Sequence, residues 1–337
     1  MLGRALKSAV VGLGVGRQHA LALLKDPRTE LCAIVEHDEV RAQDFVQNYK
    51  DQNIQISTFN EVVGCDEIDL ISLASFDGDH FHQVMAGLKH SKHMFVEKPL
   101  CQTRPELEDI YALWKTSSCA LASNLVLRKA PLYIWLKDLI SSGALGDIYA
   151  FDGDYLYGRV HKIMSGWRSE TENYSVMEGG GIHIIDLMLM LTGQKPSEVY
   201  SLSNKIATRN TDFQYHDFQS SQFMFESGLI GRVTANFGCI HRHHHVIRVF
   251  GTKGTFLYDD AGPRIHWTSD EDKTADFVKE APLPAEKGVL IPDFIGTIIN
   301  NDIIESAYQE FDLMSVVLAA DEVLNCKKPT RIEYLTC

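Results

Sequence analysis

Short apolar runs punctuate the first third of the chain, and most are followed by a stretch whose apolar residues recur at helical spacing. "SAVVG" (8–12) has the form of a strand buried on both faces and stopped by glycine, and "GRQHALALLKD" after it has the helical period. "LCAIVE" (31–36), the weaker "IQIST" (54–58), "DLISLA" (69–74), "HMFVE" (93–97) and "CALASN" (119–124) continue the series. Helical patterns at 39–50, 79–90 and 105–117 fall between them. Strands alternating with helices predict right-handed crossovers and a parallel sheet covered on both faces, an α/β domain over residues 1–124. Ligands of such sheets bind beyond the carboxyl ends of the strands, so those ends are where chemistry is expected.

The first end is Gly12, Leu13, Gly14, Val15 and Gly16. Glycines there let a backbone approach a pyrophosphate, whose charge suits the unsatisfied N–H groups of the helix that follows. The spacing departs from G-x-G-x-x-G, because the third glycine would fall at Arg17. Glu36 closes the second strand 22 residues after Gly14, near the distance at which an acid grips an adenosine ribose. Loop and acid together predict dinucleotide binding. A carboxylate repels a 2′-phosphate, which favours NAD over NADP, although Arg41 leaves NADP open.

A buried strand at 93–97 that stops on Glu97, Lys98 and Pro99 is harder to explain. Proline fixes the turn and cannot extend a ladder. The Lys98 ammonium, at a strand end, would sit beside a nicotinamide and hydrogen-bond a substrate hydroxyl. Glu97 would pair with the lysine or hold the loop. An isolated E-K-P is by itself no more than a solvated strand end.

Further along, "GGGIHIIDLMLMLTG" (179–193) reads as a helix that is apolar nearly all round, hence buried, and that stops at Gly193. His183 and Asp186 lie three apart and share one face, where buried polar groups must be paired. One reading is a structural His–Asp pair; the other makes His183 the general base, a role suited to an imidazole with a pKa of about 6.5. Asn124, Arg128 and Lys129 follow the sixth strand, and Tyr155, Tyr157, Arg159, Trp167 and Arg168 are further candidates for substrate contact. Their arginines suggest an anionic substrate such as a uronate or a nucleotide sugar; surface ion pairing is the plainer account. "HRHHHV" (241–246) alternates His241, His243 and His245 onto one strand face. Neighbours on one face are about 7 Å apart and converge poorly on a single ion, so no metal is expected and contact with substrate stays open.

Composition narrows the class. The 337 residues are 45% apolar with a formal charge of −13, which disfavours nucleic acid and anionic membrane as partners. No run reaches the roughly 18 apolar residues of a membrane span. The cysteines at 32, 65, 101, 119, 239, 326 and 337 are scattered without a C-x-x-C pair, which favours reduced thiols in cytoplasm.

The run "ASFDGDHFHQVMAGLKHSKHMFVEKPLCQT", with "LGDIYAFDGDY", "GGGIHIIDL" and the closing "FDLMSVVLAADEVL", resembles the Gfo/Idh/MocA oxidoreductases, relatives of glucose–fructose oxidoreductase and inositol dehydrogenase. The resemblance implies a Rossmann domain followed, over 125–337, by an α/β domain on a large open, mostly antiparallel sheet, with a closing helix near 308–326. It implies NAD(P)-linked hydride transfer at a secondary alcohol of a sugar, sugar acid, nucleotide sugar or cyclitol. Lys98 and His183 would be catalytic. Ser75, His80 and Glu97 would join the glycine turn and Glu36 around the cofactor. Asn124, Arg128, Tyr155, Tyr157, Arg168, His183 and Asp186 would meet substrate. Three positions depart from the family pattern: Phe76 for a proline, Ser91 for a glycine, and Gly179 where members commonly carry an aspartate. The last leaves the usual Lys–Asp–His trio incomplete, with Glu178 or Asp186 as replacements. Transient oxidation on bound NAD and non-catalytic sugar sensing are the alternative activities. An uncovered sheet face around 218–238 and 245–258 would seek a second copy, giving a homodimer or homotetramer.

Overall fold

A computed structural model describes residues 4–165, 168, 171, 173–326 and 328–336. Trp167 and Cys337 lie outside the described residues. The apolar runs become the strands β1 (Leu6–Val11), β2 (Thr29–Val35), β3 (Gln55–Ile56), β4 (Leu70–Leu73), β5 (His93–Val96) and β6 (Leu121–Ser123). They form a parallel sheet in the order β3-β2-β1-β4-β5-β6. The order reverses between β1 and β4, which is the switch point where such sheets hold their ligands. Helices α1 (Gly16–Lys25), α2 (Glu39–Asn48), α3 (Phe59–Gly64), α4 (His80–Lys89) and α5 (Arg104–Trp114) provide the crossovers. Helix α3 was not anticipated, although Thr58 and Glu61 form a reciprocal capping box at its start.

The chain divides into two compact units, Met1–Val126 with Ala285–Phe311, and Leu127–Pro284 with Asp312–Leu335. The expectation was one division at 124/125; in this grouping residues 285–311 go with the first unit. The helix Ile291–Asn300 puts Ile291, Phe294, Ile295 and Ile298 into the same buried cluster as Val10, Ile34, Phe45 and Phe95. Phe294 meets Phe95 at 5.3 Å between ring centroids.

In the second unit the helix α6 (Pro131–Ser141) precedes β7 (Ile148–Leu156). After the helix Ile182–Thr192 come β8 (Glu198–Asn204), β9 (Phe218–Met224), β10 (Ile230–Asn236), β11 (His244–Gly251), β12 (Thr255–Asp259), β13 (Gly262–His266), β14 (Asp276–Phe277) and β15 (Thr330–Arg331). Among the described residues they make one sheet, β14-β13-β12-β11-β7-β10-β9-β8-β15, antiparallel except where β10 runs parallel to β7. The helix Ile182–Thr192 is buried on most sides and stops at Gly193 with φ of 64°, as its sequence pattern requires. No described helix is long and apolar enough to cross a membrane.

Candidate active site

In the first unit the glycines of the β1–α1 turn do different jobs. Gly12 has φ of 82°, and a Cβ there would lie 2.3 Å from the Ala74 carbonyl oxygen, so only glycine fits the turn against the end of β4. A Cβ on Gly14 would meet nothing within 4 Å. That open space lies before α1, whose first turn has neither a side-chain cap nor an acidic residue. Uncapped N–H groups beside open space fit a pyrophosphate.

Glu36 ends β2 with its side chain 1% exposed. Its carboxylate accepts from the Leu13 N–H (2.7 Å) and the Asp38 N–H (3.0 Å), and pairs with Arg41 (3.3 Å) and His37 (3.1 Å). Burial pushes this acid up, but the two backbone donors and Arg41 outweigh it and leave it below the ordinary value. Both carboxylate oxygens thus accept from backbone N–H groups, and the exposed Arg41 is the side-chain donor most easily displaced by ribose hydroxyls. Ser75 donates to Gln83 (2.6 Å). His80 is fully buried; its Nδ1 donates to the Pro99 carbonyl at 2.7 Å, while Nε2 has no hydrogen-bond partner among the described residues.

The strand question of Glu97–Lys98–Pro99 has a local answer. The Glu97 N–H continues the ladder to Leu73, and the Lys98–Pro99 peptide is cis. The Glu97 carboxylate accepts from the Asn124 amide (2.7 Å) and from His19 Nε2 (3.1 Å), while His19 Nδ1 meets the Ser72 hydroxyl (2.9 Å). With its proton on Nε2 the imidazole donates to Glu97 and accepts from Ser72; the Asn124 amide nitrogen lies 2.9 Å from the same Nε2 and donates to Glu97 instead. Burial raises the Glu97 pKa, but His19, Asn124 and the charge of Lys98 bring it down to about 2. An ionised carboxylate is thus fixed next to Lys98. Asn124, expected at the substrate, is buried, and its amide also donates to the Lys287 carbonyl (2.9 Å). His19 was missed by the sequence reading; its signal was a lone imidazole on the apolar face of α1.

In the second unit the helix bearing His183 is entered through one wide turn, Met177–Gly181, with π-type hydrogen bonding, a feature common at functional sites. The glycines of this turn allow rings to pack on it: a Cβ on Gly179 would lie 2.6 Å from the Tyr174 hydroxyl, and one on Gly180 2.3 Å from the Tyr155 ring. The space of the family's aspartate is thus bordered by a phenol. Glu178 in the same turn is buried. Asp186 is 2% exposed, and Arg128 grips it from Nε (2.9 and 3.0 Å) and Nη2 (2.6 Å). Burial pushes the Asp186 carboxyl up against the pull of Arg128. Each of these two expected substrate contacts is therefore matched by the other's charge.

Tyr155 ties the remaining candidates together. Its ring lies 6.2 Å from those of both Tyr157 and His183, 5.1 Å from His243 and 5.3 Å from His245. Burial raises the Tyr155 phenol, with the charges of Arg168 and Arg159 acting the other way. Only two of the three alternating histidines join this cluster. β11 begins at His244, so both His241 and His243 precede the strand, and His241 turns away to Asp260 (2.9 Å). Among the described residues no three His, Cys, Asp or Glu side chains come together in a way that would hold a metal.

An uncapped glycine turn at the switch point of a parallel sheet, an acid at the end of β2 and a lysine beside an ionised carboxylate define an NAD-binding oxidoreductase. The chain belongs to the Gfo/Idh/MocA family: the oxidoreductase family with an NAD-binding Rossmann fold matches residues 6–125, and the Gfo/Idh/MocA C-terminal domain matches 133–257. Among curated relatives it is 22% identical over 290 residues to the uncharacterized oxidoreductase YrbE of Bacillus subtilis, covering 83% of this chain and 80% of that one. It is 24% identical over 220 residues to 1,5-anhydro-D-fructose reductase of Ensifer adhaerens, covering 60% of each. The fold is shared with levoglucosan dehydrogenase in complex with NADH and levoglucosan (TM-score 0.84, 19% identity, 98% and 100% covered). It is shared also with myo-inositol 2-dehydrogenase of Lactobacillus plantarum (TM-score 0.80, 19% identity, 98% and 100% covered).

Proposed function

We propose that this oxidoreductase interconverts a secondary alcohol and a ketone on a neutral sugar or cyclitol. Bound NAD supplies the hydride acceptor, held by the turn Gly12–Gly16 and by Glu36. In the oxidation direction the carbinol carbon loses a hydride, its hydroxyl loses a proton to His183, and a C=O bond forms. Lys98 hydrogen-bonds the reacting oxygen and stabilises its developing negative charge. The observation that carries the reading is the fixed Glu97–Lys98 pair at the end of β5, in the sheet whose glycine turn stands open. A neutral substrate is favoured because the Arg128 charge is taken up by Asp186. The names of relatives acting on levoglucosan, myo-inositol and an anhydrofructose support the substrate class. A cytoplasmic homo-oligomer, paired through the sheet face that exposes Tyr149, Leu202, Met224 and Ile230, completes the proposal.

The test is nicotinamide absorbance with a panel of polyols, sugars and sugar acids. Turnover that collapses in Lys98→Ala while NAD binding persists supports the dehydrogenase. Tight NAD binding with no turnover of any substrate supports the second reading, a sugar sensor, which Gly179 in place of aspartate favours.

A further inference from the structure

The buried face of α1 consists of Gly16, His19, Ala20, Ala22 and Leu23, so a single polar side chain enters the core from this helix. His19 is 0% exposed. Its ring lies edge-on to Phe95 at 5.4 Å, and its two nitrogens reach the Ser72 hydroxyl of β4 and the Glu97 carboxylate at the end of β5. Stability does not account for this arrangement, because apolar residues of similar volume commonly equal or surpass a desolvated charged pair. What they would not supply is a negative charge on the residue before Lys98. The chain around that lysine is held without His19: the Glu97 N–H donates to the Leu73 carbonyl (2.8 Å), and His80, also 0% exposed, donates to the Pro99 carbonyl (2.7 Å). The His19 imidazole therefore acts on the carboxylate and not on the course of the backbone.

We propose that His19 is a positioning residue for the reaction: it fixes the Glu97 carboxylate beside Lys98 and so keeps that lysine an ammonium ion. The proposal rests on the dehydrogenase reading above for its chemistry and deepens it. Glu97 faces three groups that oppose its burial, His19 from α1, the Asn124 amide after β6 and the charge of Lys98, and His19 is the foremost of them. Without His19, Asn124 and Lys98 alone act against burial, and the Glu97 carboxyl rises. A Glu97 that takes up a proton no longer offsets Lys98, which then gives up its own proton at lower pH. A neutral lysine has lost the charge that meets a developing alkoxide. The helix whose first turn faces the pyrophosphate thus also governs the lysine at the reacting oxygen.

The first readout needs no substrate. Lys98 of the full chain is acetylated with acetic anhydride across the pH range of lysine titration, and its peptide is quantified by mass spectrometry, with the exposed Lys89 as reference. Wild type is compared with His19→Phe, which keeps a ring and removes both nitrogens, with His19→Gln, which restores a donor toward Glu97, and with Glu97→Gln, which removes the charge itself. The midpoint of Lys98 labelling should fall by about one pH unit in His19→Phe and in Glu97→Gln and return toward wild type in His19→Gln, while Lys89 does not move. With myo-inositol or levoglucosan as substrate, the high-pH limb of kcat/KM should move down with it, and NAD affinity near neutrality should stay constant. An unchanged Lys98 midpoint in folded His19→Phe, whatever its loss of thermal stability, overturns the proposal. So does a midpoint that falls in His19→Phe but not in Glu97→Gln. If His19→Phe does not fold, Ser72→Ala, which releases the far nitrogen of the imidazole, is read by the same criterion. The expected labelling shifts in a protein that turns over no polyol overturn the dehydrogenase reading and leave the link from His19 to Lys98 standing.

Discussion

Glu97, with its side chain 16% exposed, and His245, 6% exposed, are both titratable, one in each unit, and they are held in opposite states. Glu97 stays ionised because His19, Asn124 and Lys98 outweigh its burial. His245 stays neutral because burial and the neighbouring His243 and His244 all act against a proton. Burial alone therefore does not decide charge; the partners do. The ionised group lies beside the lysine proposed to meet the developing alkoxide, and the neutral one leaves hydrogen-bonding capacity to spare.

The comparison breaks first if the chemistry does not sit at the charged end. Lys98→Ala and His183→Ala should each lower kcat/KM by ~10²–10⁴-fold with NAD affinity kept, measured by nicotinamide absorbance and by titration of cofactor. The charged state of Glu97 itself can be read from acid stability. Its folded pKa, near 2, lies below the unfolded value, so its stabilisation is fully present above about pH 4.5 and is lost as pH falls toward 2. That contribution is on the order of 3 kcal/mol, and Glu97→Gln should flatten this part of the stability–pH curve in denaturant titrations.

Gly179→Asp would bring a charge toward the neutral side. Its Cβ would lie 2.6 Å from the Tyr174 hydroxyl, so the variant should lose roughly 1–3 kcal/mol in thermal unfolding. Glu36→Ala removes a second buried, ionised carboxylate. NAD affinity should fall by about 10-fold and the preference over NADP should narrow as Arg41 is released, which cofactor titrations would report.

Most of the first unit was legible because most of its strands are local apolar runs, and β1, β2 and β5 stop on Gly12, Glu36 and Glu97. Gly12–Gly16, Glu36 and Lys98 all stand at such stops. The helix Ile291–Asn300 was not assigned to this unit because periodicity shows an apolar face but not which core will bury it. Asp186 was recognisable as a buried acid in need of a partner. That partner, Arg128, is 58 residues away in sequence, beyond any local pattern. The histidine run was half legible. Alternation grouped His243 with His245, but it included His241, which meets Asp260 instead, a partner 19 residues away that the run does not show. His19 was passed over because an imidazole on an apolar helix face gives no sign of the carboxylate it will meet.

The return of residues 285–311 to the first unit has a consequence for synthesis on the ribosome. When residue 126 emerges, the six parallel strands are complete, yet Phe95 still lacks the Phe294 ring that will cover it. Elongation at roughly 5–20 residues per second leaves that surface bare for on the order of ten seconds or more, while β7 to β14 of the second sheet are being made. The nucleotide-binding unit is thus begun first and sealed late, and for that interval its nascent form presents an unfinished core to chaperones.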